Sequence, residues 1–294
     1  MDTLIGDNGF IGVSHLSQER ARERSEKLDV SEIVGIIEAA NVAGASGYTF
    51  STHPTNMQVL TALRRSKTLG DEFGLYPVLP YAQGYVRLAN EKGIRALVDE
   101  TLSKLPLMHR ARAVVETGIS AVRLDPVGLM RAYVDVELKS YVGPKPEKSA
   151  IRSVLLHEVV TDLCLGLGNL SLLDAFARLI REEYHLSPGF VTYNLARFVE
   201  LFRQEEMTLK DVTIMTPFNS IGYQMSPSRQ ACETCLSSLS ESNVIAMSLL
   251  AGGYLSLDQA VEYLRSLSRR VGVAVGVSTR QHAEETFSRL RTLK

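Results

Sequence analysis

Short apolar runs alternate with amphipathic stretches along most of the chain, and this order restricts the possible folds more than any other feature. Runs that are apolar throughout are typical of strands covered on both faces. Strands that alternate with helices predict a parallel sheet with helical crossovers. Eight strands are predicted, and they span Phe10–Ser14, Gly47–Ser51, Leu75–Leu79, Ser153–Val159, Gly189–Tyr193, Val212–Thr216, Val244–Leu249 and Val271–Val277.

Eight such units in 294 residues predict an α/β fold, a single (β/α)8 TIM barrel over residues 1–294. One spacing is irregular, since about 70 residues separate the third and fourth predicted strands, whereas one βα unit needs ~30. We therefore predict a helical insertion at residues 93–148, acting as a lid or a dimer contact. The alternative is that Ala121–Leu124 forms a ninth strand, or the true fourth one.

Several helix starts are readable. A capping box pairs a Ser, Thr or Asp with a Glu or Gln three residues later, and a serine before a first-turn proline also marks a start. The predicted capping boxes pair Asp29 with Glu32, Ser256 with Gln259 and Ser278 with Gln281, and Ser226-Pro227 is the serine–proline start.

Composition excludes several classes of function. The net charge of −1 gives no basic field for nucleic acid, and no apolar run reaches the ~18–20 residues that cross a bilayer. The start Met1-Asp2-Thr3 lacks a secretory pattern, and three cysteines do not make a disulfide framework. We expect a cytoplasmic protein that binds a small molecule, and homo-oligomerisation is compatible with the sequence.

In (β/α)8 enzymes the active site lies at the carboxyl ends of the strands. Three of the six histidines, His15, His53 and His157, fall at predicted strand ends, and Glu158 follows the last of them. Histidine is a common general acid or base and a common metal ligand. These four residues are the candidate catalytic groups. The three histidines are also the candidate ligands of a divalent metal, although no HxH or HExxH spacing is present.

Other polar residues follow the remaining strands. Candidate substrate-binding residues are Tyr81, Asn194, Asn219 and Gln224, and Tyr193 directly precedes Asn194. Cys232 and Cys235 form a C-x-x-C pair without a second pair, which favours a packing role on a helix over a structural zinc site.

The loops after the seventh and eighth strands predict an anion site, because many barrels bind phosphate there. Glycines allow close backbone approach, and a helix start presents free N–H groups to an anion. The candidate anion- or cofactor-binding residues are Gly252, Gly253, Gly276, Ser278, Thr279 and Arg280. The G-x-G-x-x-G fingerprint of a Rossmann site is absent.

The second half of the chain resembles the aldo-keto reductases, which are (β/α)8 barrels that bind NADPH across the carboxyl face. Val244–Gly253 resembles their seventh strand and loop, and the stretch from Val275 to Glu285 resembles their eighth strand and following helix. Leu155-Leu156-His157 is similar to their fourth strand, whose histidine helps to polarise a carbonyl. Ile37–Tyr48 is similar to their first helix leading into the second strand.

The chain departs from this family at other catalytic positions. Neither the aspartate of strand two nor the tyrosine after it is recognisable around Tyr48–Pro54, and Leu75–Leu79 carries no lysine. Only His157 carries over, and Tyr48 or Tyr81 would have to replace the tyrosine.

Four functions remain open. The first is histidine acid/base chemistry on a small phosphorylated or carbonyl-bearing metabolite. The second is an aldo-keto-type reductase that uses NADP or a flavin. The third is a metal-dependent hydrolase or isomerase, and the fourth is a ligand-binding barrel without catalysis.

Overall fold

The computed structural model describes residues 1–12, 28–66, 69–70, 72–80 and 150–293, with scattered residues between 127 and 138. The strands form a closed, parallel barrel in sequence order, which confirms the (β/α)8 prediction. They are β1 Thr3–Gly6, β2 Gly47–Ser51, β3 Gly74–Leu79, β4 Ser153–Leu156, β5 Ser187–Val191, β6 Thr213–Pro217, β7 Asn243–Met247 and β8 Gly272–Gly276.

Helices surround this barrel. A π-helical turn at Leu179–Glu183 precedes β5, and a 3-10 turn at Ala251–Gly253 follows β7. In the described part of the chain, no helix has both the length and the apolar character needed to cross a membrane. The helices are α1 Val30–Ala43, α2 Pro54–Ser66, α3 Glu158–Leu167, α4 Ser171–Arg178, α5 Leu195–Gln204, α6 Arg229–Ser237, α7 Leu257–Ser266 and α8 Arg280–Arg291.

The prediction of a first strand at Phe10–Ser14 is wrong. The strand is β1, in which Leu4 lies opposite Gly47 of β2 on one side and Ala274 of β8 on the other. Phe10 lies in a turn after β1 and is 2% exposed, in the core between strands and helices. Its apolar character therefore reflects packing under the helices and not a strand.

The other seven strand predictions overlap the observed strands. The largest differences are in β4 and β5, which end at Leu156 and Val191, before the predicted ends at Val159 and Tyr193. In β4 the reason is local, because His157 caps α3 and Glu158 is its first residue. The predicted strand therefore included the first residues of α3.

Two predicted capping boxes are confirmed and two helix starts are shifted. Asp29 and Glu32 cap α1 reciprocally, with nitrogen–oxygen distances of 2.8 and 3.1 Å, and Ser256 and Gln259 do the same at α7. Serine at 278 is not the cap of α8, since the Thr279 hydroxyl accepts from the His282 N–H. Likewise Ser228, not Ser226, caps α6.

The apolar core has two layers. One fills the interior of the barrel, and the other lies between the outer face of the barrel and the surrounding helices. Side chains of a strand alternate between the two faces, so every second residue points into the barrel. Several aromatic rings of the outer layer are stacked, as in the pair Phe198 and Phe202 at 4.1 Å between centroids. The buried residues that fill the interior are Leu4, Tyr76, Leu155, Val191, Met215 and Ile245.

The predicted insertion at 93–148 and the alternative strand Ala121–Leu124 lie almost entirely outside the described residues. The described residues between 127 and 138 are helical, and Val134 and Leu138 among them are buried. The insertion, its role as a lid or dimer contact, and the single-domain boundary remain predictions. The expected packing role of the C-x-x-C pair agrees with burial, since Cys232 is 1% exposed on α6.

Candidate active site at the carboxyl end of the barrel

The mouth of the barrel has a side-chain-free patch between its first and last strands. Gly6 and Gly276 lie opposite each other at the carboxyl ends of β1 and β8, and they continue the inward rows of Leu4 and Ala274. Among the described residues, a Cβ on Gly276 would meet nothing nearer than the Gly6 carbonyl oxygen at 4.0 Å, its chain neighbours aside, and Gly276 is exposed. The backbone of both strands is therefore open to a ligand at this point.

His157 lies at the carboxyl end of β4 and continues the inward row of Ser153 and Leu155. Its Nδ1 accepts the Val159 N–H at 3.2 Å and so caps α3. The Glu158 Oε2 lies 3.2 Å from the same nitrogen, and this contact is an ion pair only when the ring is protonated. The His157 side chain is 16% exposed.

The other predicted catalytic residues have different surroundings. His53 also caps a helix, because its Nδ1 accepts the Thr55 N–H at 3.1 Å at the start of α2. Thr52, beside it, donates a hydrogen bond to buried Glu137, which belongs to the predicted insertion. His15 and Tyr81 lie outside the described residues.

Asp7 is a buried carboxylate at this end of the barrel, and the sequence alone did not single it out. Its Oδ2 accepts from the Ser51 N–H and hydroxyl, both at 2.8 Å, and from the Asn56 amide at 2.7 Å. Burial raises the pKa of Asp7, although these hydrogen bonds act in the opposite direction. The signal was a polar residue directly after an apolar run, but the misplaced first strand hid it.

Tyr48 extends the Asp7 network away from the mouth. Its hydroxyl donates to the Asn56 Oδ1 at 2.7 Å, and the ring is fully buried in the core between strands and helices. Burial, with a further contribution from Asp7, raises the pKa of Tyr48 well above its usual range. Because its ring is fully buried between strands and helices, Tyr48 does not reach the mouth and cannot replace the missing reductase tyrosine, so the expectation for Tyr48 is wrong. The alternative, Tyr81, lies outside the described residues.

A second carboxylate lies between β4 and β5. Asp162 of α3 accepts from the Tyr193 N–H at 3.0 Å and from the Thr192 hydroxyl. Burial raises the pKa of Asp162, and these two hydrogen bonds partly offset the effect. This carboxylate fastens α3 to the end of β5, where Tyr193 and Asn194 follow the strand.

Two of the predicted substrate-binding amides have structural partners. Asn194 caps α5 by accepting the Arg197 N–H at 3.2 Å. Asn219 is fully buried, and its amide joins Tyr223 and Ser248 of the loops after β6 and β7. Both amides therefore hold backbone segments near the mouth in place, through hydrogen bonds within the protein.

The loops after β6 and β7 contain residues in strained backbone conformations. Gln224, Ser248 and Ala251 have φ values of 59°, 54° and 45°, in the left-handed region that non-glycine residues rarely adopt. The Ser248 hydroxyl donates to the Gln224 side chain at 3.1 Å, so the two strained positions support each other. Such strain persists only where the surrounding structure holds it, and it is concentrated at functional sites.

The predicted anion-binding residues lie at two adjoining strand ends. Gly252 and Gly253 form the turn after β7, with φ values of 72° and 102°. Thr279 caps α8 at the end of β8, and its carbonyl accepts the Ala283 N–H. The N–H groups of Arg280 and Gln281 precede these helical bonds, which makes the first turn suited to an anion.

Arg280 does not extend this anion site in the way that the sequence suggested. Its guanidinium lies over α1, where a Cβ at Gly35 would collide with it. Packing thus occupies the side chain, and binding of an anion at α8 would depend on the backbone and on half-buried Ser278.

Among the described residues, no group of three histidine, cysteine, aspartate or glutamate side chains is close enough to hold a metal ion. His53 and His157 each use Nδ1 as a helix cap, and His15 lies outside the described residues. The metal site expected at the three histidines therefore stays a prediction.

A scan against protein-family models and a search of curated proteins find no match to this sequence. Solved structures do match. A putative aldo-keto reductase from Pseudomonas aeruginosa is 12% identical, with a TM-score of 0.62 over 99% of this chain and 90% of that one. A putative 2,5-diketo-D-gluconic acid reductase B is 13% identical, with a TM-score of 0.52 over 97% and 80% of the two chains. At these identities the likeness concerns the fold, which is an aldo-keto reductase-like (β/α)8 barrel.

Proposed function

We propose, from a barrel of the aldo-keto reductase type, that this chain is an oxidoreductase that reduces a carbonyl group of a small metabolite. The placement of His157 carries the proposal. When Nδ1 accepts the Val159 N–H, the neutral ring carries its hydrogen on Nε2; when the ring is protonated and pairs with Glu158 instead, Nε2 carries a hydrogen as well, so it is a donor in both forms. A donor at the rim of the barrel stabilises the negative charge that develops on a carbonyl oxygen during reduction.

We further propose that the mouth binds a nicotinamide nucleotide. Its flat ring would lie against the backbone at Gly6 and Gly276, where neither residue carries a side chain. The first turn of α8 suits a phosphate, because the N–H groups of Arg280 and Gln281 precede its first helical bonds. When bound, the nicotinamide supplies the hydride that the carbonyl carbon needs.

A second candidate is a barrel that binds a phosphate-bearing ligand without catalysis. It is favoured by the residues at the strand ends, since Ser51 ends β2 and Leu79 ends β3. The family resemblance implies an aspartate and a lysine near those places. In this case the anion site would bind its ligand, and no reduction would follow.

The first test compares His157→Asn with the wild-type protein. Asparagine is a good helix cap, so the variant keeps an acceptor for the Val159 N–H while it removes the Nε2–H donor. We expect binding of NADPH to be unchanged, and reduction of a panel of small aldehydes to fall by about 10²–10⁴-fold. Binding is measured by cofactor fluorescence, and reduction by the loss of absorbance at the reduced-nicotinamide band.

His185→Asn is the matched control. His185 lies just before β5 at the opposite end of the barrel, with a φ of 53° that asparagine tolerates. A wild-type protein that binds NADPH but reduces none of the aldehydes favours the non-catalytic barrel. A His157→Asn variant as active as His185→Asn would remove His157 from the mechanism.

A further inference from the structure

A cavity of about 450 Å³ lies at the amino end of the barrel, on the face opposite the mouth. Its wall comes from the start of β7, the start of β8 and the loop between α7 and β8. Gly272 begins β8 and Gly276 ends it, so the cavity and the mouth are about 13 Å apart along the strand. Besides Met1, the lining residues are Asn243, Val244 and the run Arg269–Gly272.

The cavity lies where β7 begins before β8 joins it. The first residue of β7 that is opposite β8 is Ile245, which pairs with Gly272 at the start of β8. Asn243 and Val244 precede that pair, so no residue of β8 lies beside them. The two strands therefore leave a gap at this end of the barrel, and the loop that leads into β8 forms the other side of it.

Arg269 in this loop is a half-buried cation without a counter-charge. Its Nη2 donates to the Ser242 carbonyl oxygen at 3.2 Å, whereas its Nη1 is buried and has no hydrogen-bond partner. Among the residues that the structure describes, no carboxylate pairs with this guanidinium. Because a guanidinium has several N–H donors in a planar fork, most of those of Arg269 remain available to a ligand.

The carboxylate of Asp2 is near the cavity but has other partners. Its Oδ2 accepts from the Asn243 amide at 3.0 Å, and the Tyr76 hydroxyl also bonds to this side chain. Arg270 lines the same cavity and brings a second positive charge to its wall. Buried or half-buried charge is normally paired, so this wall is suited to an anion.

Apolar side chains complete the wall. Val244 and Val271 line the cavity and are buried, and Met1 lies beside them. A ligand that carries an apolar part next to its charged group would cover these side chains. The volume of the cavity lies in the range of roughly 300–1,000 Å³ that is usual for sites of small molecules.

We propose that this cavity binds a small organic anion, whose carboxylate or phosphate group pairs with Arg269 while its apolar part lies against Val244 and Val271. A guanidinium forms two parallel N–H···O bonds with either group. The site is separate from the mouth, and it does not depend on the proposed reduction. A ligand here would contact both β7 and the loop before β8, so its binding should stabilise the folded barrel.

The experiment measures binding of phenyl phosphate and of benzoate by isothermal titration calorimetry, with benzyl alcohol as the neutral analogue. We expect the wild-type protein to bind at least one of the anions and not the alcohol. The tighter anion identifies the charged group of the ligand, and either one supports the site. Arg269→Met should weaken binding at least about tenfold, because it removes the charged hydrogen bonds but keeps a long side chain.

Arg203→Met is the matched control. Arg203 also donates from Nη2 to a carbonyl oxygen, that of Ser238, at 3.2 Å, but it lies on α5 away from the cavity. We expect this variant to bind the anions as the wild-type protein does. Arg270→Met changes an exposed residue of the cavity wall and serves as a second variant if Arg269→Met does not fold. It should weaken binding by about twofold to fivefold.

The assignment is overturned if neither anion binds the wild-type protein at millimolar concentration, or if benzyl alcohol binds as tightly as the anions. It is also overturned if Arg269→Met and Arg270→Met both bind the anions as tightly as Arg203→Met, since the anion would then lie elsewhere, as at the start of α8. Binding of NADPH should be the same in all three variants. A wild-type protein that binds the anions but not NADPH would contradict the proposed reductase and leave this site standing.

Discussion

Single residues near the mouth show how the fold tolerates buried charge. Asp7 is buried and Asp162 is half-buried, and each has protein donors in place of the lost hydration. Buried carboxylates are acceptable only when such donors are present. The sequence identified His157 because a histidine ended an apolar run. Asp7 also follows an apolar run, but the first strand was predicted elsewhere, and the donors of Asp7 come from residues more than 40 positions away.

Asp7 should make stability depend on pH. Burial raises its pKa in the folded state above the ordinary value of 3.8, so the stabilising contribution is complete at low pH and decreases as the pH rises through the raised pKa. We expect the unfolding free energy of Asp7→Asn, relative to wild type, to increase between pH 4 and pH 8. Urea denaturation followed by circular dichroism at several pH values measures this difference.

The Asp29→Asn variant provides a contrast of opposite sign. Hydrogen bonds from the Glu32 backbone and Ser31 lower the pKa of this exposed helix cap. The stabilising contribution of Asp29 is present at neutral pH and is lost as the pH falls through the lowered pKa.

For Asp7, the contradicting outcome is a difference in unfolding free energy between wild type and Asp7→Asn that stays constant over the whole pH range. That result would show that the pKa of the Asp7 carboxyl is the same in the folded and unfolded states.

At the scale of strands and helices, the sequence predicts what has a local pattern. Capping boxes at α1 and α7 are confirmed because both partners lie within three residues. β1 is only four residues long and has no period to separate it from other apolar runs, so its position depends on pairing with β2 and β8. The site residues that depend on that pairing, Asp7 above all, could not be placed from the sequence.

The close approach of β1, β2 and β3 requires a glycine at position 47. A Cβ at Gly47 would lie 2.5 Å from the Gly74 carbonyl oxygen of β3 and 2.8 Å from a methyl of Leu4 in β1. We expect Gly47→Ala to lower the unfolding free energy by about 1–3 kcal/mol, because the added methyl overpacks the barrel.

Gly166→Ala is the matched control for this change. Gly166 lies in α3, where an added methyl would meet no described atom within 4 Å apart from its own helix backbone and chain neighbours, and alanine favours a helix over glycine by about 1 kcal/mol. The variant should therefore be as stable as the wild-type protein or more so. Equal effects of the two substitutions in thermal unfolding would argue against close contact at Gly47.

The last βα unit, β8 with α8, closes the barrel, because β8 pairs with both β7 and β1. The final helix α8 packs beside α1, and Phe287 and Leu290 on it are fully buried. Alternation of strands and helices was enough to predict this closure. The structure of the segment between β3 and β4 was harder to predict from the sequence, because helical periodicity does not indicate where a helix packs.

Closure makes the barrel one cooperative unit, and Phe287→Ala tests this. Loss of a buried phenylalanine should cost about 3–5 kcal/mol. Far-ultraviolet circular dichroism and tyrosine fluorescence should still report one shared transition, at lower denaturant. Val42→Ala on α1, where the side chain is 84% exposed, should change stability by less than about 0.5 kcal/mol. Two separated transitions would mean that the last unit unfolds independently.

The two glycines that face each other where the barrel closes lie at the proposed ligand entrance. Among the described residues, a methyl at position 276 would meet nothing nearer than the Gly6 carbonyl oxygen at 4.0 Å. On the proposed function, larger side chains at position 276 should therefore exclude bulky molecules before slim ones.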